Sequence, residues 1–243
     1  MAITATAVAG LPEVTAGADL AALIAARVTP SGQDVVVVAH KVVSKAEGAV
    51  VALSGVRPGD RARAIAARQG RDPRQVQVIL DQTAELVRVT DHVLICRTHH
   101  GFVCANAGVD ASNAAGDDEL IVLPVDPDHS ARRLRAGLPG TPAVVITDSF
   151  GRAWRNGQVD VAIGVAGLAP LEDWRGLTDS VGRPLQATWI AVADQAAAAA
   201  DLARTKDSRD PVVLVEGLGR WVTAADGPGV QPLLRPPSED LFL

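Results

Sequence analysis

Two short stretches combine residue types that can bind a metal-chelated phosphate: GVDASN around Asp110 and TDSFGR around Asp148. Asp110 stands near Gly108 and Asn113, among small residues that let backbone approach a ligand closely. Asp148 and Ser149 follow an apolar run that reads as a buried strand, where side chains leave the core and meet a ligand crevice. Oxygen donors from Asp, Ser and Asn suit Mg²⁺ or Mn²⁺, which prefer carboxylates and phosphate oxygens. Arg152 and Arg155 lie just downstream and can fork onto phosphate. Spacing alone leaves the alternative of ordinary Asx-turns with solvated charges.

The lysines carry a second signal. In a chain rich in Arg, the only lysines are Lys41, Lys45 and Lys206, and two of them share the segment HKVVSKAEG. A compact ammonium in place of the default guanidinium fits a phosphate contact, although chance explains the pattern equally well. Other site signatures are missing. There is no phosphate-binding G-x-x-x-x-G-K-[ST] loop and no G-x-S-x-G elbow. Gly217-Leu218-Gly219 lacks the third glycine of a dinucleotide fingerprint and reads as a turn. His99 and His100 are neighbours on an extended segment, so they point to opposite faces and cannot readily hold one ion. Cys96 and Cys104 are too few for a disulfide framework or a zinc site and read as small buried apolar groups.

These residues must be positioned by a large core. The chain has 243 residues, 48% of them hydrophobic, enough for one large domain or two interlocked lobes. Its net charge of −5 argues against a nucleic-acid partner, which wants a basic face, and leaves phosphorylated small ligands open. No apolar run approaches the roughly 20 residues that span a bilayer, and the N-terminus lacks a basic region before its apolar stretch. A cytoplasmic protein is expected.

Strands are expected at residues 3–8, 34–39, 87–90, 93–96, 102–105, 120–123, 143–147, 159–165, 188–193 and 211–215. Helices are expected at 19–28, 60–69, 72–86, 127–138 and 194–204, with residues 40–48 a strand end or turn. Residues 106–119 read as a loop, and the tail from 227 as irregular beyond a domain covering 1–226. Strands and helices mix without a regular βαβ beat, so the expectation is an irregular α+β member of the α/β class, not a doubly wound Rossmann sheet.

The wording of the blocks narrows the function. HGFVCANAGVDASN (100–113), VVITDSFGRAWRNGQVDVAIG (144–164) and KVVSKAEG (41–48) strongly resemble the coenzyme F420-0:γ-glutamyl ligase family. GLPEV (10–14), LPVDPDHSARRLRAGL (123–138) and PVVLVEG (211–217) extend the resemblance collinearly over about residues 3–219. It implies a GTP-dependent ligase that adds L-glutamate to the coenzyme F420 precursor, first by an ordinary amide and then γ-linked, through an acyl phosphate. It also implies two Mg²⁺ or Mn²⁺ ions, K⁺ as activator, and a homodimer with an intertwined two-lobed fold. The form expected from the resemblance is the stand-alone ligase, without a fused nitroreductase-like domain.

Transferred position by position, Asp110, Asp148 and Ser149 would be metal ligands. Leu11, Pro12, Glu13, Val14, His40, Lys45, Asn113, Arg204, Thr205 and Lys206 would contact the nucleotide, with Lys45 reaching its phosphates. Asp110, Asp148 and Lys45 would carry the chemistry. This chain departs from the family pattern with His40 where relatives usually carry Ser or Thr, His99 at a frequent Arg, and Thr205 and Asp207 in a stretch that usually reads more like Lys-Gly-Lys. Two alternatives stand beside the ligase: a non-catalytic nucleotide- or deazaflavin-binding homologue, and a ligase for another phosphorylated acceptor.

Overall fold

The computed structural model describes residues 2–112, 116, 118–205 and 207–241. Its centre is the run VVVVA, whose β-branched side chains favour an extended chain and are buried on both faces. In chain order the first elements are β1 (Thr4–Ala7), α1 (Leu20–Ala25), β2 (Val35–Ala39), α2 (His40–Ala46) and β3 (Val50–Ala52). Then follow α3 (Asp60–Gln69), α4 (Pro73–Asp81), β4 (Thr83–Val89), β5 (Leu94–Thr98), β6 (Val103–Ala105) and β7 (Glu119–Ile121). The chain continues with α5 (Pro127–Gly137), β8 (Ala143–Arg152), β9 (Arg155–Ala166), β10 (Glu172–Asp173), β11 (Trp189–Ile190), α6 (Val192–Ala203) and β12 (Val212–Glu216).

Five strands form the main sheet in the order β1-β12-β2-β8-β9, with only β2 and β8 parallel. The architecture is mixed α/β with no closed barrel among the described residues, as expected from the irregular alternation. Helices α5 and α6 pack on β8 and β9. Gly164 makes the α5 contact possible: a Cβ there would stand 2.4 Å from the Pro127 carbonyl oxygen. A smaller three-stranded sheet, β4-β5-β6, packs against α3 and α4 around its own apolar cluster. No helix among the described residues is long and apolar enough to cross a membrane.

Several boundaries differ from expectation. Residues 40–46 form a helix rather than a strand end or turn. Its buried face is His40, Val43 and Ser44, so two polar residues interrupt the apolar period that would have revealed it. Helix α4 stops at Asp81, and residues 83–89 form strand β4, paired with β5. Residues 192–193 belong to α6 rather than to the preceding strand. Most consequential, β8 does not end at Thr147 but runs to Arg152, paired with β9 along its length. Its pairing with β2 stops at Thr147, so Asp148 is the first residue past the end of the parallel pair.

Candidate functional site

Asp148 and Ser149 therefore sit where the main sheet narrows to the β8–β9 hairpin. A register shift between Ile146 and Thr147 marks this place, as bulges often do beside sites. The backbone N–H of Ala162, beside the shift, donates to Asp194 of α6 at 2.9 Å. Asp110 arrives from the other direction. Its backbone exchanges two hydrogen bonds with Ile121 (3.0 and 2.8 Å), and the segment before it turns sharply through Asn106, Ala107 and Gly108. All three have left-handed φ values of 53, 54 and 71°. For the two non-glycines this costs about 1–2 kcal/mol each, a concentration of strain typical of ligand sites. Gly108 is needed twice over, since a Cβ would also lie 2.8 Å from the Leu123 side chain.

The two aspartates and Ser149 line one cavity of ≈ 230 Å³, together with Cys104, Asn106 and Gln158. Lys41, on the first turn of α2, reaches Asp110 Oδ2 and the Ser112 hydroxyl, each at 2.6 Å. The Ser112 N–H also donates to Asp110 Oδ1 at 2.6 Å, so the Asx-turn alternative is itself present, but at a cavity wall. Burial alone would push the Asp110 carboxyl up; the Lys41 hydrogen bond, the Ser112 N–H and the Lys41 charge outweigh it and hold it below the usual carboxylate range. His40 is 1% exposed, with Nε2 3.4 Å from Asp148 Oδ1 and Nδ1 3.3 Å from Ser44 Oγ. Nε2 lacks hydrogen-bond geometry to any partner, so its approach to Asp148 is a close contact between polar groups.

Of the other expected residues, Lys45 pairs with Glu13, which brings residues 11–14 against the last turn of α2. Val14 is buried and Leu11 packs on the main core; Pro12 lies between them. Lys41 and Lys45 are one turn apart and share a helix face. Arg204 turns inward to Asp160, Thr147 and the Pro211 carbonyl, while Thr205 donates to Asp207 on the surface. Arg152 and Arg155 face each other at the exposed end of the hairpin, outside the cavity lining. Asn113 and Lys206 lie outside the described residues.

His99 and His100 approach the carbonyls of Asp81 and Pro124 rather than the cavity, and no group of three or more metal-ligating His, Cys, Asp or Glu side chains occurs among the described residues. Both cysteines are free and buried, as expected.

Two site residues went unassigned in the sequence. Lys41 was visible only as one of the scarce lysines, its pairing with Asp110 being a long-range contact. Asp160 was visible as a lone carboxylate in the apolar run VDVAIG, and it binds Ser149, Thr147 and Arg204. Burial alone would push its carboxyl up, but the Ser149 hydroxyl, the Arg204 charge and hydrogen bond, and the Thr147 hydroxyl hold it below the usual range.

The donor set fits a hard divalent cation. Two carboxylates and a hydroxyl on one cavity fall short of an all-protein cage, which suits Mg²⁺ or Mn²⁺ sharing a coordination shell with substrate phosphates.

A mixed α/β scaffold thus gathers oxygen donors and a lysine at the end of a parallel strand pair. Residues 10–217 match the model of the family described as F420-0:Gamma-glutamyl ligase, and the chain belongs to that family. It is 43% identical over 253 residues to the coenzyme F420:L-glutamate ligase of Methanothermobacter thermautotrophicus, covering 100% of this chain and 99% of that protein. The protein of the same name from Methanopyrus kandleri is 44% identical over 236 residues, covering 95% and 93%. That of Halobacterium salinarum is 44% identical over 246 residues, covering 95% and 96%.

Proposed function

We propose that this chain is a coenzyme F420:L-glutamate ligase that uses GTP to join L-glutamate to the coenzyme precursor. The supporting observation is that Asp110, Asp148 and Ser149 line one cavity, with Lys41 on Asp110, in a chain matching its relatives nearly end to end. Amide formation in water needs an activated carboxylate. An acceptor carboxylate oxygen attacks the γ-phosphorus of GTP, the bond to the β-phosphate oxygen breaks, and GDP departs. The glutamate amine then attacks the acyl carbon, a C–N bond forms, and phosphate leaves with the electron pair as the nitrogen sheds its proton. Repetition at the new γ-carboxylate gives γ-linked glutamate.

Such phosphoryl transfer depends on positioning and charge neutralisation more than on covalent help. Asp110, Asp148 and Ser149 would hold Mg²⁺ or Mn²⁺, two ions in this reading, which supply charge neutralisation on phosphate oxygens. Lys41 and Lys45 set two ammonium groups along α2 for the phosphates, and residues 11–14 would hold the guanine end. When phosphate arrives, Lys41 exchanges its carboxylate partner for a phosphate oxygen. Arg204 contributes by setting the course of the segment it opens, and Thr205, Asn113 and Lys206 complete the nucleotide contacts. Arg152 and Arg155 are assigned to the coenzyme's own phosphodiester. The reading extends to K⁺ activation, a homodimer with an intertwined fold, a ligase unit spanning 1–226, and a cytoplasmic location, on family grounds.

Incubating the protein with coenzyme precursor, L-glutamate and Mn²⁺, with GTP or ATP in parallel, tests the proposal by mass. Addition of glutamate residues with GTP alone is expected. No mass shift with either nucleotide would leave a binding homologue, and a shift with ATP alone would overturn the GTP assignment.

A further inference from the structure

Behind Ser149 lies a carboxylate that the proposed reaction does not use. Asp160 stands directly opposite Ser149 in the β8–β9 ladder, so the two side chains share a face, and it is only 3% exposed. Its Oδ1 accepts the Ser149 hydroxyl at 2.6 Å. Its Oδ2 accepts the Thr147 hydroxyl at 3.0 Å and the Arg204 guanidinium at 2.5 Å. A second guanidinium nitrogen, Nη1, donates to the Pro211 carbonyl at 2.8 Å. One buried carboxylate therefore ties the strand bearing Asp148 and Ser149 to both ends of segment 204–211. A buried charge survives only when paired and hydrogen-bonded, and here each carboxylate oxygen has a donor.

The chemistry of the serine gives this arrangement a direction. A hydroxyl has one proton. Because Asp160 accepts it, the Ser149 oxygen can offer only electron pairs toward the cavity, as a cation-facing ligand must. We propose that Asp160 is a positioning residue, which fixes the Ser149 hydroxyl in its electron-pair-donating orientation and, through Arg204, links that orientation to segment 204–211. This rests on the reading of Ser149 as a divalent-cation ligand. An amide at position 160 turns one oxygen into a donor. It would either oppose Arg204 or drive the Ser149 proton into the cavity, and both outcomes break the link.

The test is Mn²⁺ binding followed by electron paramagnetic resonance, with and without GTP, on Asp160→Asn, Ser149→Ala and the double variant. A supporting-ligand change typically weakens metal binding about 10–100-fold, so Asp160→Asn is expected to raise the Mn²⁺ Kd at least about 10-fold. The double variant is expected to bind no more weakly than Ser149→Ala alone, because the effect of Asp160 passes through that oxygen. Arg204→Lys is expected to keep Mn²⁺ affinity and raise the GTP KM, since a charge still faces Asp160 but the anchor to Pro211 is lost. Should Asp160→Asn fail to fold, Asp160→Glu keeps the charge and moves the carboxylate by one methylene, with the same rise expected. Wild-type Mn²⁺ affinity in the position-160 variant, or additive losses in the double variant, would overturn the proposal. Unchanged affinity in Ser149→Ala would instead overturn the Ser149 ligand reading, and this proposal with it.

Discussion

Asp148 and Asp110 face one cavity, but the molecule holds them by different means. Asp148 extends from a strand whose preceding residues, Ala143 to Ile146, are wholly buried between β2 and β9. Asp110 hangs from a strained turn, a single bridge to Ile121 and a lysine from another element. The first is anchored by a large apolar core. The second borders two small clusters, one around α3, α4 and β5, the other around Leu53, Val78 and Leu120. Regions with few buried apolar contacts occupy the low end of local stability. The pairing of a rigid carboxylate with an adjustable one suits the proposed reading, in which the site would accept and release a phosphate-bound cation.

The largest expected effect follows from the rigid side. Asp148→Ala should cut glutamylation on the order of 10³-fold, the upper range for loss of one charge-stabilising group, while the urea midpoint stays near wild type. Retained activity in the folded variant would remove Asp148 from the cation site. Next, Gly164→Ala should lower global stability by about 3 kcal/mol, because the Pro127 backbone has nowhere to go. Gly108→Ala should cost less, about 1–2 kcal/mol, since its obstacle is the Leu123 side chain and its remaining penalty is backbone strain. Its activity should nevertheless fall further than that of Gly164→Ala at a temperature where both are folded, because Gly108 sets the approach of Asp110. The opposite order of activities would mean that the turn does not govern that aspartate.

A smaller effect separates the two lysines. Lys41→Ala should raise the GTP KM about 10-fold with little change in folding, since an ion pair with this much exposure contributes about 1 kcal/mol or less. Lys45→Ala should raise it less, because its partner is Glu13, whereas Lys41 sits on Asp110 at the cavity wall. Steady-state kinetics with GTP varied would show the order, and a larger effect at Lys45 would return Lys41 to a purely structural partner of Asp110.

What the sequence disclosed follows the same division. The central strands were legible because runs such as VVVVA and AVVIT carry their burial in their composition. The extension of β8 through DSFGR was not, because cross-strand pairing rather than burial holds it. Helix α2 escaped notice since its inward face carries His40 and Ser44, and no capping side chain announces its start. The Asp110 loop was recognised by its small residues, but its partner Lys41 could not be, since nothing local joins positions 41 and 110. Asp160 left a readable trace, a lone acid in an apolar strand, but whether such a residue is buried and paired depends on helix α6 arriving with Arg204.

The last prediction asks whether the two regions open separately. Cys96 and Cys104 are direct partners across β5 and β6, both buried, in the smaller sheet. Burial first, then the charges of Asp148 and Cys96, push the Cys104 thiol up to about 12. That shift disfavours the thiolate in the folded protein, and only the thiolate reacts with an alkylating agent. Alkylation of the native protein should therefore be slow and report opening of the smaller sheet. In sub-denaturing urea, the opening free energy from alkylation should be lower than that from hydrogen exchange of the β2 amides, by about 1–2 kcal/mol if the small clusters open as a unit. Equal values would mean that the sheet carrying Asp148 and the region carrying Asp110 unfold together, and that the adjustability of Asp110 is confined to its own turn.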